Sequence, residues 1–243
     1  AGIEQFVFVT GRNKGAIEDH FDHAFELEDT LNARKKTAEL KQTLDSIIPA
    51  GNAIFTRQQQ PLGLGHAVWC ARHWIGDEPF AVLLPDEMTL ATPSCTAQLV
   101  DVHKRTGGNV ISVLDVPREQ TNRYGIVATG KDDGSLAEVT GMVEKPKPEA
   151  APSTLAIIGR YVLLPEVFKH LDKQERGAGN EIQLTDALAK MVGNTPFHAL
   201  RFTGERHDCG NRLGFLEANL ALGLKNPDIA GELREIVRRL LND

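Results

Sequence analysis

With 243 residues, 41% of them hydrophobic and 25% charged, the chain has ordinary globular composition and enough length to bury a substantial core. A net charge of −6 without any Lys/Arg-rich run excludes gripping a nucleic-acid polymer or a membrane surface by bulk electrostatics, so any bound phosphate must be held by a few placed cations. No run approaches the roughly 20 apolar residues of a membrane span, no basic-then-apolar leader opens the sequence, and Cys70, Cys95 and Cys209 have neither metal nor disulfide spacing; the expectation is a cytoplasmic protein with reduced thiols.

The first element, Phe6-Val7-Phe8-Val9, is a strand pattern with no Met and no element before it, so the chain is expected to start inside a domain. Helices are predicted at 14–21 and 37–48, a strand at 52–56, a helix at 66–75 and a strand at 80–84. A helix at 96–104 and a strand at 109–114 follow. This alternation predicts an α/β fold with a mostly parallel central sheet flanked by helices. From 124 to 164 the texture changes to strands joined by Gly/Asp turns (124–128, 136–143 and 155–163, with Asp132-Asp133-Gly134 between the first two), read as a smaller strand-rich extension. Helices at 165–171 and 183–192, a strand at 197–202 and helices at 212–224 and 228–241 complete one domain over 1–243. The amphipathic last helix suits a subunit contact in a homo-oligomer.

The segment Gln58-Gln59-Gln60-Pro61-Leu62-Gly63-Leu64-Gly65-His66-Ala67 lies between a predicted strand and a helix, where glycines let backbone approach a flat ligand. It also invites reading as a dinucleotide fingerprint, with Asp86 about 20 residues on as the ribose carboxylate. Val68 at the third glycine position and the long gap after Arg57 weaken that reading, and a plain flexible loop is the bland alternative.

Asp86 follows the apolar run 80–84 and a strand-ending Pro85, which predicts a carboxylate at the carboxyl edge of the sheet. Asp208 stands in a similar place after a second apolar run. Two such carboxylates can share one Mg²⁺, although a lone Asp is more often a cap or a turn. Glu144-Lys145-Pro146 puts opposite charges at a strand end, one able to accept from sugar hydroxyls and the other able to meet phosphate; solvated charge is the bland reading. Tyr124-Gly125 is similarly either a strand start or a place where a sugar lies against backbone. His66 and His207 lack spaced metal partners and are expected to be structural, and Glu181-Ile182-Gln183-Leu184-Thr185-Asp186 reads as a helix start.

Together, Val9-Thr10-Gly11-Arg12-Asn13-Lys14, Gly63-Leu64-Gly65-His66-Ala67, Leu84-Pro85-Asp86, Val143-Glu144-Lys145-Pro146, Gly159-Arg160-Tyr161, Glu181-Ile182-Gln183-Leu184-Thr185-Asp186 and His207-Asp208-Cys209-Gly210 resemble the sugar-nucleotide pyrophosphorylase family, most closely its bacterial UTP-glucose-1-phosphate uridylyltransferase branch. The resemblance implies a Rossmann-like nucleotide-diphospho-sugar transferase fold. It also implies Mg²⁺-dependent conversion of UTP and glucose-1-phosphate to UDP-glucose and pyrophosphate. By it, Gln58 and Gly63 contact uracil, Asp86 and Asp208 hold the metal, Gly125 and Glu144 receive the sugar, and Lys145 meets its phosphate. The family's glycine-rich signature loop, expected before the first strand, is not in this sequence, so an N-terminally truncated domain is expected. Use of dTTP or another hexose phosphate, or a non-catalytic sugar-nucleotide-binding role, are the alternatives.

Overall fold

A computed structural model describes residues 1–242. In chain order the elements are β1 (Phe6–Thr10), α1 (Gly15–His20), α2 (Phe25–Ala33), α3 (Thr37–Asp45), β2 (Ala53–Arg57), α4 (Leu64–Cys70), α5 (Arg72–Ile75), β3 (Phe80–Leu83), β4 (Glu87–Leu90), α6 (Cys95–Thr106), β5 (Asn109–Asp115), β6 (Gly125–Asp132), β7 (Leu136–Glu144), β8 (Leu155–Leu163), α7 (Val167–Leu171), α8 (Leu184–Ala189), β9 (Phe197–Leu200), β10 (Glu205–Asp208), α9 (Arg212–Lys225) and α10 (Ala230–Asn242). They fall into two compact units, one of residues 2–78 with 165–190, the other of residues 79–164 with the chain from 191 on.

In the first unit β1 and β2 pair in parallel from Phe6 opposite Ala53 to Thr10 opposite Arg57, and Phe8 stacks on Phe55 with ring centroids 4.9 Å apart. Val68 of α4, Val167, Phe168 and Leu171 of α7, and Leu184 and Leu188 of α8 are buried. The single helix expected over 66–75 is two, because the backbone tightens at Ala71, whose N–H bonds to Val68 O at 3.0 Å, and Arg72 Nη1 takes the Trp69 carbonyl at 3.1 Å. Helix α2 was not expected from the sequence, whereas α1 and α3, which like it have no buried residue, were.

The second unit is built on a six-stranded sheet of order β3-β8-β5-β9-β7-β6. The α/β class is as expected, but this sheet is mixed rather than mostly parallel. Only β5 and β9 run parallel in it, while β8 lies antiparallel to both β3 and β5, and β7 antiparallel to both β9 and β6. The physical reason lies in the connections. Between β6 and β7, Asp132 Oδ1 accepts from Gly134 N at 2.9 Å and Asp133 Oδ1 from Ser135 N and Leu136 N at 2.8 and 2.7 Å, a tight turn that can only reverse the chain. Nor do the strands of the 124–164 segment stand apart: β8 is interior to the sheet, and β6, beside β7, also pairs antiparallel with β8 at Ile126 opposite Ala156.

Helix α6 starts where Ser94 Oγ accepts from Ala97 N at 3.2 Å and stops at Gly107, whose φ of 67° suits a glycine C-cap. It buries Cys95, Leu99 and Val102 against Val110, Val162 and Leu200. The buried Cys95 thiol is pushed up to about 11 by desolvation and stays protonated. Strands β4 and β10 form a separate antiparallel ribbon, Glu205 opposite Leu90 through Asp208 opposite Glu87. Neither strand was legible in the sequence, since each is only four residues long and polar at the end that matters. No helix among the described residues is long and apolar enough to cross a membrane.

Candidate functional site

The residues singled out in the sequence fall into two groups, one in each unit. In the second unit the chain leaves β3, turns at Pro85-Asp86 and enters β4. Arg160 holds this turn, donating to Leu84 O at 2.7 Å and also to Glu87 O. Antiparallel pairing sets Asp208 opposite Glu87, and one residue further Cys209 N donates to Asp86 O at 2.7 Å. The two predicted aspartates are thereby brought together although 122 positions separate their numbers, 86 and 208. Both carboxylates crowd Gly210, where a Cβ would lie 2.9 Å from Asp86 Oδ2 and 3.1 Å from Asp208 Oδ1, so the turn admits only glycine without displacing them. Asp208 is oriented by Gly210 N at 3.0 Å and by Asn211 Nδ2 at 3.0 Å; Asn211 Oδ1 in turn caps α9 by accepting from Gly214 N at 2.8 Å.

Two arginines that sequence reasoning missed stand beside this pair. Arg206 sits two positions before Asp208 on β10, hence on the same strand face, and grips Glu87 through Nε and Nη2 at 2.6 Å each. Their side chains are only 12% and 13% exposed, so this is a nearly dry bidentate ion pair. Burial disfavours the Arg206 charge, but the Glu87 bonds outweigh it and hold its pKa above the usual value. Arg206 Nη2 also lies 3.8 Å from Asp208 Oδ2. Arg123 Nη2 lies 3.8 Å from the same oxygen, on a side chain 54% exposed. The signals were slight: an alternating spacing to Asp208 for Arg206, and adjacency to Asp86 for Glu87.

At the start of β6, Gly125 is the register partner of Glu144 at the end of β7, so these two predicted residues face each other across the strand pair. Lys145 follows, its N–H donating to Tyr124 O at 2.9 Å. Its φ of 46° is left-handed, a conformation that costs a non-glycine residue on the order of 1 kcal/mol and turns its side chain out of the ladder. Lys145 Nζ lies 3.6 Å from Glu144 Oε1, the lysine half-exposed and the glutamate nearly buried. Burial, with the Glu144 and Glu87 charges nearby, pushes the Tyr161 phenol up, so it stays protonated.

In the first unit Gln58 and Gly63 touch directly. Gln58 Nε2 donates to Gly63 O at 2.9 Å and lies 3.0 Å from His66 Nδ1, so both of its N–H groups face its own loop and its carbonyl oxygen is the atom left to meet a ligand. Desolvation, helped by Arg72, lowers the His66 pKa, leaving a neutral ring that can accept from Gln58. Beside this loop Arg57, Gln59, Leu62, His66, Trp69 and Cys70 border a cleft of about 310 Å³, which Gln58 itself does not line.

The glycines here have a second reason to exist. Gly63 has φ +109°, and a Cβ on it would meet Ile182 O at 2.8 Å; a Cβ on Gly65 would meet Ile182 O at 2.7 Å. The segment read as a mere helix start docks against this loop, with Gly65 N donating to Ile182 O at 2.8 Å and Ile182 N to Leu62 O at 2.7 Å. The contact is too close for the third-glycine spacing of a dinucleotide fingerprint to matter, and backbone packing accounts for both glycines. Gly65→Ala is therefore expected to destabilise the protein by about 1–3 kcal/mol, and Gly63→Ala by more because of its φ, both read as lower midpoints in urea unfolding. Midpoints equal to wild type would mean that the loop does not pack as described.

His207, expected to be structural, is buried with no hydrogen-bond partner on either ring nitrogen, Nδ1 lying 3.5 Å from Glu217 Oε1. No group of three or more His, Cys, Asp or Glu gathers among the described residues, so the aspartates stand as a pair.

A family model for nucleotidyl transferases matches residues 14–223, most of the chain and parts of both units. The chain belongs to the nucleotidyl transferase family. Among curated members it is 53% identical over 213 residues to a UTP-glucose-1-phosphate uridylyltransferase of Komagataeibacter xylinus, covering 88% of this chain and 75% of that protein. It is 45% identical over 242 residues to one of Bacillus subtilis, covering 100% and 82%. Among solved members of the family, a UTP-bound UGPase of Acinetobacter baumannii aligns with TM-score 0.88 at 37% identity over 99% of this chain and 84% of that one. A UDP-glucose pyrophosphorylase complexed with UDP-glucose aligns with TM-score 0.80 at 35% identity, covering 92% and 82%.

Proposed function

We propose that this chain transfers a uridylyl group from UTP to glucose-1-phosphate, giving UDP-glucose and pyrophosphate. The observation that carries the reading is the convergence of Asp86 and Asp208 on Gly210 in a chain whose relatives bear that activity in their names. The continuous match over 14–223 supports treating the chain as one nucleotidyltransferase domain.

Glucose-1-phosphate is an anion at neutral pH, so one of its phosphate oxygens can attack the α-phosphorus of UTP without a general base. The new P–O bond forms as the bond to the bridging oxygen breaks, and pyrophosphate leaves with that electron pair. What the protein must supply is alignment of two mutually repelling anions and neutralisation of their charge. Two carboxylates side by side form a hard-oxygen donor set that fits Mg²⁺, which takes one or two protein carboxylates and completes its shell with water and phosphate. Asp86 and Asp208 would hold it, and when bound it supplies charge neutralisation and polarisation of phosphate oxygens. Lys145, turned outward at its left-handed position, meets the sugar phosphate. Glu144 and the bare backbone of Gly125 receive the sugar. The free Gln58 carbonyl accepts from the uracil N3–H, with Gly63 beneath the base. The protein acts in the cytoplasm, and the exposed Ile236, Leu240 and Leu241 along α10 form its subunit contact in a homo-oligomer.

Pyrophosphate release measured with UTP or dTTP and with a panel of hexose 1-phosphates tests the assignment, and UTP with glucose-1-phosphate is expected to be the best pair. The Glu144–Lys145 pair should divide its labour. Lys145→Ala should lower kcat roughly 10²-fold or more, because it neutralises charge that grows in the transition state. Glu144→Ala should chiefly raise KM for glucose-1-phosphate and relax selection against galactose-1-phosphate. An effect of Lys145→Ala on KM alone, or unaltered sugar selection in Glu144→Ala, would reduce the pair to a charged strand end.

A further inference from the structure

Arg123 and Arg206 approach the same oxygen, Asp208 Oδ2, at the same 3.8 Å, but they are not equivalent. Arg206 is nearly buried and committed to Glu87 by two bonds of 2.6 Å. Arg123 is half-exposed, and among the described residues Asp208 is the one carboxylate within 4.0 Å of it. It immediately precedes Tyr124 and Gly125, so its guanidinium reaches from the strand start that faces Glu144 to the aspartate pair. Its other neighbour is the Tyr124 ring, 5.7 Å from Cζ to the centroid, a contact that restrains the guanidinium without neutralising it.

Resting on the function proposed above, we infer that Arg123 is an exchangeable cation of this site. It neutralises Asp208 while no metal is bound, and it moves to the phosphate of the incoming sugar phosphate once Asp208 is engaged by a divalent ion. A long, exposed ion pair is cheap to break, and a cation and a guanidinium cannot both sit closely on one carboxylate oxygen. Phosphate offers the planar fork of the released guanidinium two oxygens to bond at once, which a carboxylate already coordinated no longer does. Lys145 and Arg123 would then approach the sugar phosphate from the end of β7 and the start of β6, strands that are register neighbours.

The signature is a pair of opposite effects that a purely structural arginine cannot produce. Mn²⁺, whose free form is counted by electron paramagnetic resonance, is titrated into the nucleotide-free full chain, and KM is measured for both substrates. Arg123→Gln should bind Mn²⁺ about two- to five-fold more tightly, since a competing cation of surface-pair strength is gone. It should also raise KM for glucose-1-phosphate roughly ten-fold or more through the lost charge-assisted bond, with KM for UTP little changed. Arg123→Lys should restore Mn²⁺ affinity to the wild-type value and recover part of the KM. Mn²⁺ affinity that is unchanged or weaker in Arg123→Gln overturns the exchange, as does an unchanged KM for the sugar phosphate. Asp208→Asn separates the two levels of the argument. If it leaves Mn²⁺ binding intact, the metal assignment itself fails. If it abolishes binding and Arg123→Gln has no effect, only the exchange fails. Should the wild type release no pyrophosphate, the functional reading fails and the Mn²⁺ titration alone decides the place of Arg123.

Discussion

Asp208→Asn is expected to lower the rate of pyrophosphate formation by about 10²- to 10³-fold, the size of several kcal/mol of lost charge stabilisation, while leaving the fold intact. The variant side chain has the same shape and still offers Gly210 N an acceptor in place of the 3.0 Å bond. What it loses is the negative charge facing Asp86 across Gly210, together with the acceptor for Asn211 Nδ2. Asp86→Asn should behave in the same way, and the two losses should not add, because either leaves a single carboxylate where the bound ion needs two. Turnover at limiting Mg²⁺, alongside far-ultraviolet circular dichroism to verify folding, checks this. Near-normal turnover of either variant under those conditions would separate the aspartates from the metal.

The largest expected loss of stability is at Arg206 and Glu87. Removing one partner of a buried, bidentate ion pair leaves the other charge dry and unpaired, at a cost of about 3–5 kcal/mol. Arg206→Ala strands Glu87, which is 13% exposed, and Glu87→Ala strands Arg206, which is 12% exposed. Each should lower the melting temperature on the order of 10 °C. Arg206→Met combined with Glu87→Leu removes both charges and should recover much of that loss. Because the pair ties β4 to β10 one residue away from Asp86 and two from Asp208, even the stable double variant should bind Mn²⁺ less tightly. Single variants as stable as wild type would mean that the pair is solvated in the folded protein.

The core strands were legible because burial writes itself into composition. The predicted span 155–163 coincides with β8, whose nine residues include eight buried ones, and the reading of 109–114 differs from β5 by one residue. The reading of 212–224 differs from helix α9 by one residue. The failures have a common cause. Strands β4 and β10 are short and mark themselves only by pairing with each other, and that pairing spans 121 positions at Asp208 and Glu87. The parallel expectation failed because an apolar run reports that a strand is covered, not which way its neighbour runs.

The sequence by itself determined the α/β class and the ordered motifs that mark a nucleotidyl transferase, and it put forward Asp86, Gly125, Glu144, Lys145 and Asp208 as candidates by residue type near strand ends, with Gln58 and Gly63 added by the family resemblance. Tertiary structure alone decided that Asp86 and Asp208 share one glycine, that Arg206 is committed to Glu87 while Arg123 is not, and that the close approach of Ile182 requires Gly63 and Gly65. These are contacts between segments 85 to 122 positions apart, formed only once the segments are packed together, and no local pattern of side chains records them.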